Sequence, residues 1–425
     1  MFLHKWDLSA RSVFLLYSVA NSLFLSTIFT VDLVYQVQVA HLTPLQLVLV
    51  GTFLEIVCFL CQVPTGVLAD VFGRRPAIIL GTFLIGAGFI LEGSLPHFIF
   101  ILLAQVFWGV GATFTDGALE AWISGEVSGE QIGPVFARST QLRLVGGLLG
   151  AWVSVELASI RLNLPIVLGG GLVIGLGVFL LLFMPEHSFR PAAKEERPTW
   201  ASMLTPLRNG IRLLRLRSVL LTLLVIELFM GLSSEGFDRL STAHLLADFT
   251  FPTLGSLQPV VWFAIFQLVG TVFGLLATEI VNRRVDTGNE RVVIGALFLI
   301  NALNVLCVLV FALVGNFFLA VAGFLAYGVL RTAYGPIWNT WLSRTIDEKV
   351  RATVFSMMGE VNALGQIAGG PPVGYIGTVF SLRAALTAVS IILSPVLLLF
   401  AYAARKVKQE QAEEVRVEPL TKVIK

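Results

Sequence analysis

The sequence predicts an all-α membrane protein of twelve transmembrane helices, arranged as two six-helix bundles related by pseudo-symmetry. Three observations carry this prediction: the composition, the length of the apolar runs, and an internal repeat at one constant interval. Of the 425 residues, 56% are hydrophobic and 13% charged, against roughly half and a quarter in a soluble domain. Such a chain has the lipid bilayer as its solvent. Its apolar runs are repeatedly near the ~20 residues that a helix needs to cross the hydrocarbon core, and each ends at a cluster of Gly, Pro or charge. Runs of that length satisfy their backbone groups internally as helices, not as a barrel.

In chain order the spans fall at about 12–35, 45–69, 76–95, 98–122, 134–158 and 163–184, then 218–240, 257–281, 292–314, 317–342, 353–380 and 384–404. The stretch from Met1 to Ser12 puts charge before an apolar run, as a leader does. No small-residue cleavage site closes a short core, so it reads as the start of a retained first helix. Residues 185–217 form the one long charged interior segment, with Glu186, Pro191, Lys194, Glu195, Glu196, Arg197 and Pro198. The organisation is therefore an N-terminal bundle over 1–184, a cytoplasmic linker over 185–217, a C-terminal bundle over 218–404 and a cytoplasmic tail over 405–425. Within the linker, Leu204, Leu207, Ile211 and Leu214 share one helical side, with Arg208, Arg212 and Arg215 on another. That spacing fits an amphipathic helix at the membrane surface, or a solvated linker helix.

Positive charge alternates between the two sides of the spans. The even-numbered gaps hold Arg74 and Arg75, then Arg138, the run Arg190 to Arg217, the group Arg283, Arg284 and Arg291, and finally Arg344, Lys349 and Arg351. The odd-numbered gaps hold chiefly Arg161, Arg239 and Arg383. By the positive-inside rule both termini are cytoplasmic, which requires an even helix count. Cys58, Cys61 and Cys307 are too few for a disulfide framework, and the Cys58–Cys61 pair lacks the second pair that a tetrahedral zinc site needs, so all three read as core thiols. No Walker A loop, H-E-x-x-H or G-x-S-x-G is present, which leaves ATP hydrolysis, zinc proteolysis and that kind of serine hydrolysis without support.

The internal repeat sets the architecture. Trp122, Ser124, Val135, Phe136, Gly146 and Gly150 recur at one interval as Trp341, Ser343, Val354, Phe355, Gly365 and Gly369. Both stretches close one helix, cross a short polar loop and open the next, so the halves are parallel repeats. In that arrangement a solute sits between the halves near the membrane midplane.

The loop after the second span reads Gly66-Val-Leu-Ala-Asp70-Val-Phe-Gly73-Arg74-Arg75. It resembles the major facilitator signature G-x-x-x-D-R/K-x-G-R-R, departing from it at Val71, and the resemblance runs from the first span to the twelfth. It implies a twelve-helix secondary transporter with Gly66, Asp70, Gly73, Arg74 and Arg75 as a gating motif. Physically, Gly66 permits close helix approach, while Asp70 can bond a helix N-terminus and pair with the arginines. A worn copy, Gly274 to Glu279 followed by Arg283 and Arg284, stands in the second half. Two family features are missing: Gln105 stands where proton-coupled members carry an arginine ahead of Gly109 and Gly111, and Gly146, Gly147 and Gly150 lack the proline of drug antiporters. The eleventh span carries Gly369-Gly370-Pro371-Pro372, suited to a hinge or to close packing.

Ionisable residues inside spans are costly and need partners. At ~1.5 Å rise per residue, Asp116 and Arg143 reach similar depths and are expected to pair, either as a structural pin or as part of the site. Glu120 and Arg138 repeat that arrangement, and Glu55 lies halfway along the second span. The resemblance makes the first, fourth, seventh and tenth helices the cavity lining. On these, Glu227 beside Arg331 would bind a charged solute or exchange a proton. Glu235, Asp238, Arg239 and Asp32 read as an outer gate or as plain surface, and Glu360 is a further candidate. Trp108, Trp338 and Asn339 join Gln105 as cavity candidates, aromatic walls suiting apolar, cationic or sugar-like ligands. Trp122 and Trp341 read as interface anchors.

The expectation is thus a secondary active transporter of a small solute, not an enzyme, in the inner or plasma membrane. Its leading form is proton-coupled efflux of amphipathic or drug-like compounds. Uptake of a small polar metabolite (a sugar, organic anion or amino-acid-like solute) is the second form. A membrane-embedded enzyme or receptor lacks its catalytic cluster or sensory domain. The expected partners are the substrate, protons and the bilayer, with no cofactor, metal or nucleic acid, and the chain is expected to act as a monomer.

Overall fold

The computed structural model describes residues 8–127, 129–189, 218–253, 259–346 and 348–405. The amphipathic helix expected over Trp200 to Arg217 and the cytoplasmic tail lie outside the described residues. Within them the regular structure is helical, and eleven helices are long and apolar enough to cross a membrane. A twelfth, Arg351–Val379, is 29 residues long but more polar, with Glu360, Asn362 and Gln366 along it.

The helices are α1 (Ala10–Phe29), α2 (Asp32–Gln38), α3 (Pro44–Phe72), α4 (Arg74–Ser94), α5 (Phe98–Thr115), α6 (Ala118–Glu126), α7 (Gly129–Ile160) and α8 (Leu164–Phe183). After the linker come α9 (Ser218–Asp248), α10 (Val261–Arg284), α11 (Glu290–Leu313), α12 (Phe317–Thr345), α13 (Arg351–Val379) and α14 (Leu382–Leu393). Their starts follow capping chemistry. Ser9 accepts from the Ser12 N–H ahead of α1, and Thr43 with Gln46 forms a capping box ahead of Pro44. Asn289, Asn316 and Ser381 cap α11, α12 and α14. Two spans expected to be continuous are interrupted. The first breaks at Thr30–Val31. The fourth breaks where Asp116 turns extended (ψ 128) and Gly117 takes φ +73, a conformation that a Cβ disfavours.

The chain folds as two compact units, Met1–Met203 with Phe251–Leu268, and Leu204–Thr250 with Val269–Lys425. The first holds two apolar clusters. One gathers Phe14, Tyr17, Ile78, Trp122, Ile123 and Leu180, and the other Ile28, Tyr35, Phe89, Val155, Ile166 and Val261. The second unit has one around Leu223, Leu297, Trp338, Trp341, Met358 and Phe400. Trp122 and Trp341, expected as interface anchors, are 2% and 3% exposed. Each is held inside by its indole N–H, which donates to the Pro185 carbonyl at 2.8 Å and to Glu290 Oε1 at 3.0 Å.

The glycines of the repeat explain the leading helix pair of each unit. A Cβ on Gly146 of α7 would lie 2.5 Å from the Val19 carbonyl oxygen of α1, and one on Gly365 of α13 would lie 2.6 Å from the Leu228 carbonyl oxygen of α9. Gly150 and Gly369, one turn on, meet Leu23 and Leu232 in the same way. Pro371 and Pro372 do not interrupt α13, so the glycine-rich stretch acts through packing. Gly146→Ala and Gly365→Ala are each expected to lower the unfolding free energy by about 1–3 kcal/mol through forced separation of the helices. Gly171→Ala, where a Cβ meets nothing within 4 Å, should match or exceed the wild type; thermal unfolding of the detergent-purified variants measures all three.

Candidate functional site

The signature loop is built on one turn. Gly73, at φ +114, separates α3 from α4 and turns the chain so that two arginines face carbonyls of the first unit. Arg74 Nη1 donates to the Ala121 carbonyl at 2.6 Å and Arg75 Nη2 to the Leu181 carbonyl at 2.7 Å. The Arg75 backbone N–H donates to Glu186 Oε1 at 2.9 Å, while Glu126 Oε1 accepts from the backbone N–H groups of His187 and Ser188. The arginines thus direct their donors to backbone carbonyls of α6 and α8 and not to Asp70. Asp70 is exposed, and among the described residues it makes no hydrogen bond or ion pair. The close approach expected at Gly66 is also not made, since a Cβ there meets nothing within 4 Å.

Asp116 and Arg143, expected to pair, form no ion pair with each other. Both are exposed, and with Glu120 they surround the buried phenol of Tyr17 without closing a bridge. The break at Asp116–Gly117 is the cause, because depths counted along an unbroken helix do not hold past it. Arg138 bonds Gln141 Oε1 at 3.0 Å instead of Glu120. Glu55 is half-buried on α3, near Cys58 and Asp116. Cys58, Cys61 and Cys307 are half-buried free thiols.

In the second unit Glu227 of α9 is half-buried, and its Oε2 accepts from Asn362 Nδ2 of α13 at 2.9 Å. Gln366 Nε2 in turn donates to Asn362 Oδ1 at 2.9 Å. Beside the carboxylate stand Tyr334 and Trp338 of α12, stacked at 5.5 Å and 21°. The Tyr334 hydroxyl is buried without a hydrogen-bond partner among the described residues. The cavity candidate Trp338 is 4% exposed and packs into the core, whereas Asn339 is exposed. Arg331 does not meet Glu227. Its Nη1 donates to both carboxylate oxygens of Asp238, at 2.7 and 2.9 Å. Asp238 lies three turns from Glu227 along α9, about 16 Å, so an arginine level with one is out of reach of the other. Arg239 Nε donates to Glu235 Oε1 at 2.9 Å.

One polar group was legible in the sequence only in part, through Asp32 and Gln105 and not through Gln36 or Glu92. In the first unit Gln36 Nε2 donates to Asp32 Oδ2 at 3.1 Å and to Glu92 Oε1 at 2.8 Å, and Gln105 Nε2 donates to Glu92 Oε2 at 3.3 Å. Tyr35 Oη donates to the Glu92 carbonyl at 2.8 Å. Asp32, expected at an outer gate or on the surface, is 4% exposed, with Gln36, Glu92 and Gln105 at 0, 1 and 1%. An acidic residue inside the third apolar run was the available signal for Glu92. Trp108 lies a turn from Gln105, half-buried against Phe29 and Phe89.

The profile of the Major Facilitator Superfamily matches residues 12–370. An uncharacterised MFS-type transporter of Bacillus subtilis (strain 168), YxaM, is 22% identical over 364 residues, spanning 83% of this chain and 86% of that one. Among solved structures, a mutant of the nucleoside transporter NupG superposes with TM-score 0.74 at 15% identity, covering 94% of this chain and 99% of its own. A POT family transporter in complex with 5-aminolevulinic acid gives 0.72 at 14%, covering 93% and 96%. A bacterial homologue of the human lysosomal transporter Spinster gives 0.71 at 14%, covering 93% and 96%.

The Arg331–Asp238 contact yields a prediction. Both side chains are partly open, at 45% and 43% exposure, so the pair should couple by about 0.2–1 kcal/mol. In a double-mutant cycle on thermal unfolding, Arg331→Gln with Asp238→Asn should show that coupling, whereas Arg331→Gln with Glu227→Gln should be additive.

Proposed function

The chain belongs to the Major Facilitator Superfamily of membrane transporters, and on that premise we propose that it exports small amphipathic compounds in exchange for protons, by alternating access. The observation that carries this reading is Glu227, a half-buried carboxylate held by Asn362 and flanked by Tyr334 and Trp338. A lone acid beside aromatic faces suits a lipophilic cation, which gains both charge pairing and cation–π attraction. One carboxylate that binds either a proton or the cation makes the two compete, and competition at one site is the basis of antiport.

In this reading the plasma membrane houses a monomer with both termini cytoplasmic. The segments 1–184, 185–217, 218–404 and 405–425 serve as bundle, linker, bundle and tail. Gly66, Asp70, Gly73, Arg74 and Arg75 gate the cytoplasmic side: the arginines brace the loop, and the exposed face with Gly66 and Asp70 stays available to a second helix in one state of the cycle. Asp116, Arg143, Glu55, Glu120, Trp108 and Asn339 remain cavity candidates. Uptake of a small polar metabolite is the second reading, supported by the charge-balanced group Glu235, Asp238, Arg239 and Arg331, which suits a zwitterion. The nucleoside transporter and the POT family transporter in complex with 5-aminolevulinic acid share this fold, and the fold alone does not choose a substrate.

Proteoliposomes loaded with a fluorescent lipophilic cation test the reading. Wild-type protein should move the dye against its gradient when a pH gradient is imposed. Glu227→Gln should lose that accumulation yet keep downhill exchange, since a permanently neutral side chain mimics one state only. Accumulation in Glu227→Gln equal to wild type makes the Glu227–Asn362 contact a static pin and ends the assignment. Asp70→Asn should slow transport while dye affinity stays within a few-fold; equal loss of both moves Asp70 from the gate into the binding site.

A further inference from the structure

The two units provide an internal control on the buried polar group of the first. The contacts of Gly146 and Gly365 align Val19 of α1 with Leu228 of α9, and those of Gly150 and Gly369 align Leu23 with Leu232. Counted onward from these pairs, Tyr35 corresponds to His244. The hydrogen bonds agree, for Tyr35 Oη donates to the Glu92 carbonyl at 2.8 Å and His244 Nε2 to the Phe311 carbonyl at 3.0 Å. A second alignment comes from α4 with α5 and α11 with α12. A Cβ on Gly88 would meet the Ala104 carbonyl at 2.9 Å, and one on Gly323 would meet the Cys307 carbonyl at 3.0 Å. Through these registers Asp32, Gln36, Glu92 and Gln105 correspond to Ser241, Leu245, Phe311 and Phe324.

The same scaffold therefore closes in the second unit with Ser241 and an otherwise apolar and aromatic filling, Phe311 lying 5.7 Å from Phe324 and 5.6 Å from Phe237. Packing does not call for two carboxylates and two amides at these places, and apolar residues of similar volume there are commonly neutral or stabilising. The polar group also has a definite deficit. Gln36 directs its N–H donors to Asp32 and Glu92, Gln105 directs its own to Glu92 and to the Ile101 carbonyl, and among the described residues their buried Oε1 atoms accept no hydrogen bond. Two carboxylates and two amides on neighbouring turns of three spans make a group rich in acceptors, which suits a monovalent cation. Tyr35 is the other titratable group at the site, and the charges that reach its phenol are those of Glu92 and Asp32.

We propose that Asp32, Gln36, Glu92 and Gln105 form an oxygen-lined site for a second coupling cation, a proton or Na⁺, within the first unit and separate from the proton exchanged at Glu227. Both ions suit carboxylate and amide oxygens: a proton becomes a carboxylic O–H that donates to a neighbouring oxygen, and Na⁺ accepts several oxygens at once. The site lies where the first span breaks at Thr30–Val31, so occupancy acts on the junction between α1 and α2. It also lies one turn from the aromatic trio of Phe29, Phe89 and Trp108 on the same three spans, with centroids 5.1 to 5.4 Å apart, which makes Trp108 a reporter. The inference rests on the reading of the chain as a cation-coupled transporter, but its test needs no transported solute.

The test applies rapid pH jumps and, separately, Na⁺-for-choline jumps to full-length protein in liposomes on a solid-supported membrane. Wild type should give a transient charge displacement, and the arm that Glu92→Gln diminishes identifies the ion. Glu92→Gln and Asp32→Asn should each diminish the transient of the cation that fills this site; Glu227→Gln, which removes only the proton exchanged there, should keep a residual transient that is lost when Glu92→Gln is added, which separates the two sites. As a measurement independent of how these variants fold, the same cation should change tryptophan emission of wild type and leave that of Trp108→Phe unchanged. Transients in Glu92→Gln and Asp32→Asn equal to wild type, or no response of wild-type charge or emission to either cation, overturn the proposal.

Discussion

Close approach of backbones is the constraint on which this structure rests. Lipid tails are as apolar as leucine, so hydrophobicity does not bring two spans together; contact area and short-range packing do. Gly146 and Gly150 set α7 against the carbonyls of Val19 and Leu23, and Gly365 and Gly369 set α13 against those of Leu228 and Leu232. Elsewhere in the first unit the same device is reciprocal: Gly81 faces the carbonyl of Gly111 while Gly111 faces that of Gly81, and Gly86 and Gly170 are arranged likewise. With backbones at that distance, side-chain hydroxyls reach the facing carbonyls. Ser22 and Ser26 of α1 donate to Arg143 and Gly147 of α7 at 2.7 and 2.6 Å.

Fixed backbones then decide where polar side chains can sit. Each buried polar group has to find its partner on a helix already locked in place. Asn362 meets Glu227 because Gly231 and Gly365 hold α9 against α13 within a turn or so of both. Gln36 spans Asp32 and Glu92 because Tyr35, its neighbour on α2, is tied to the Glu92 carbonyl. The polar sites are consequences of the glycine contacts, and their chemistry is free to differ between units whose packing is the same.

That division also explains what could be read in advance. The apolar spans and the glycine repeat were legible because they follow from composition and local pattern, and Gly146 with Gly365 kept its meaning in three dimensions. Partner choice was not legible. Pairing Arg331 with Glu227 required knowing which residues of α9 and α12 stand level, and the pair that forms is Arg331 with Asp238. Asp116 failed to meet Arg143 because a single positive φ at Gly117 ends the helix that the depth count assumed. Glu92 was passed over because it lies near the end of its span, where an acid is ordinarily solvated, whereas here it is 1% exposed.

The difference between the halves bears on how one scaffold can serve two tasks. At corresponding places the first unit puts carboxylates and amides where the second puts Ser241, Leu245, Phe311 and Phe324, while Ser18 of α1 stands where α9 has Glu227. Acid has thus been placed at one end of the first span and near the start of the seventh, not at equivalent positions. If the acids of the first unit take one cation while Glu227 exchanges a proton for the solute, the two sites are separate and need not be filled together. Coupling then comes from the shared conformational equilibrium, since a ligand shifts that equilibrium only by its differential affinity for the two states. An acceptor-rich site beside a helix break has a direct route to such a difference, because rearrangement at Thr30–Val31 changes the oxygens that surround the ion.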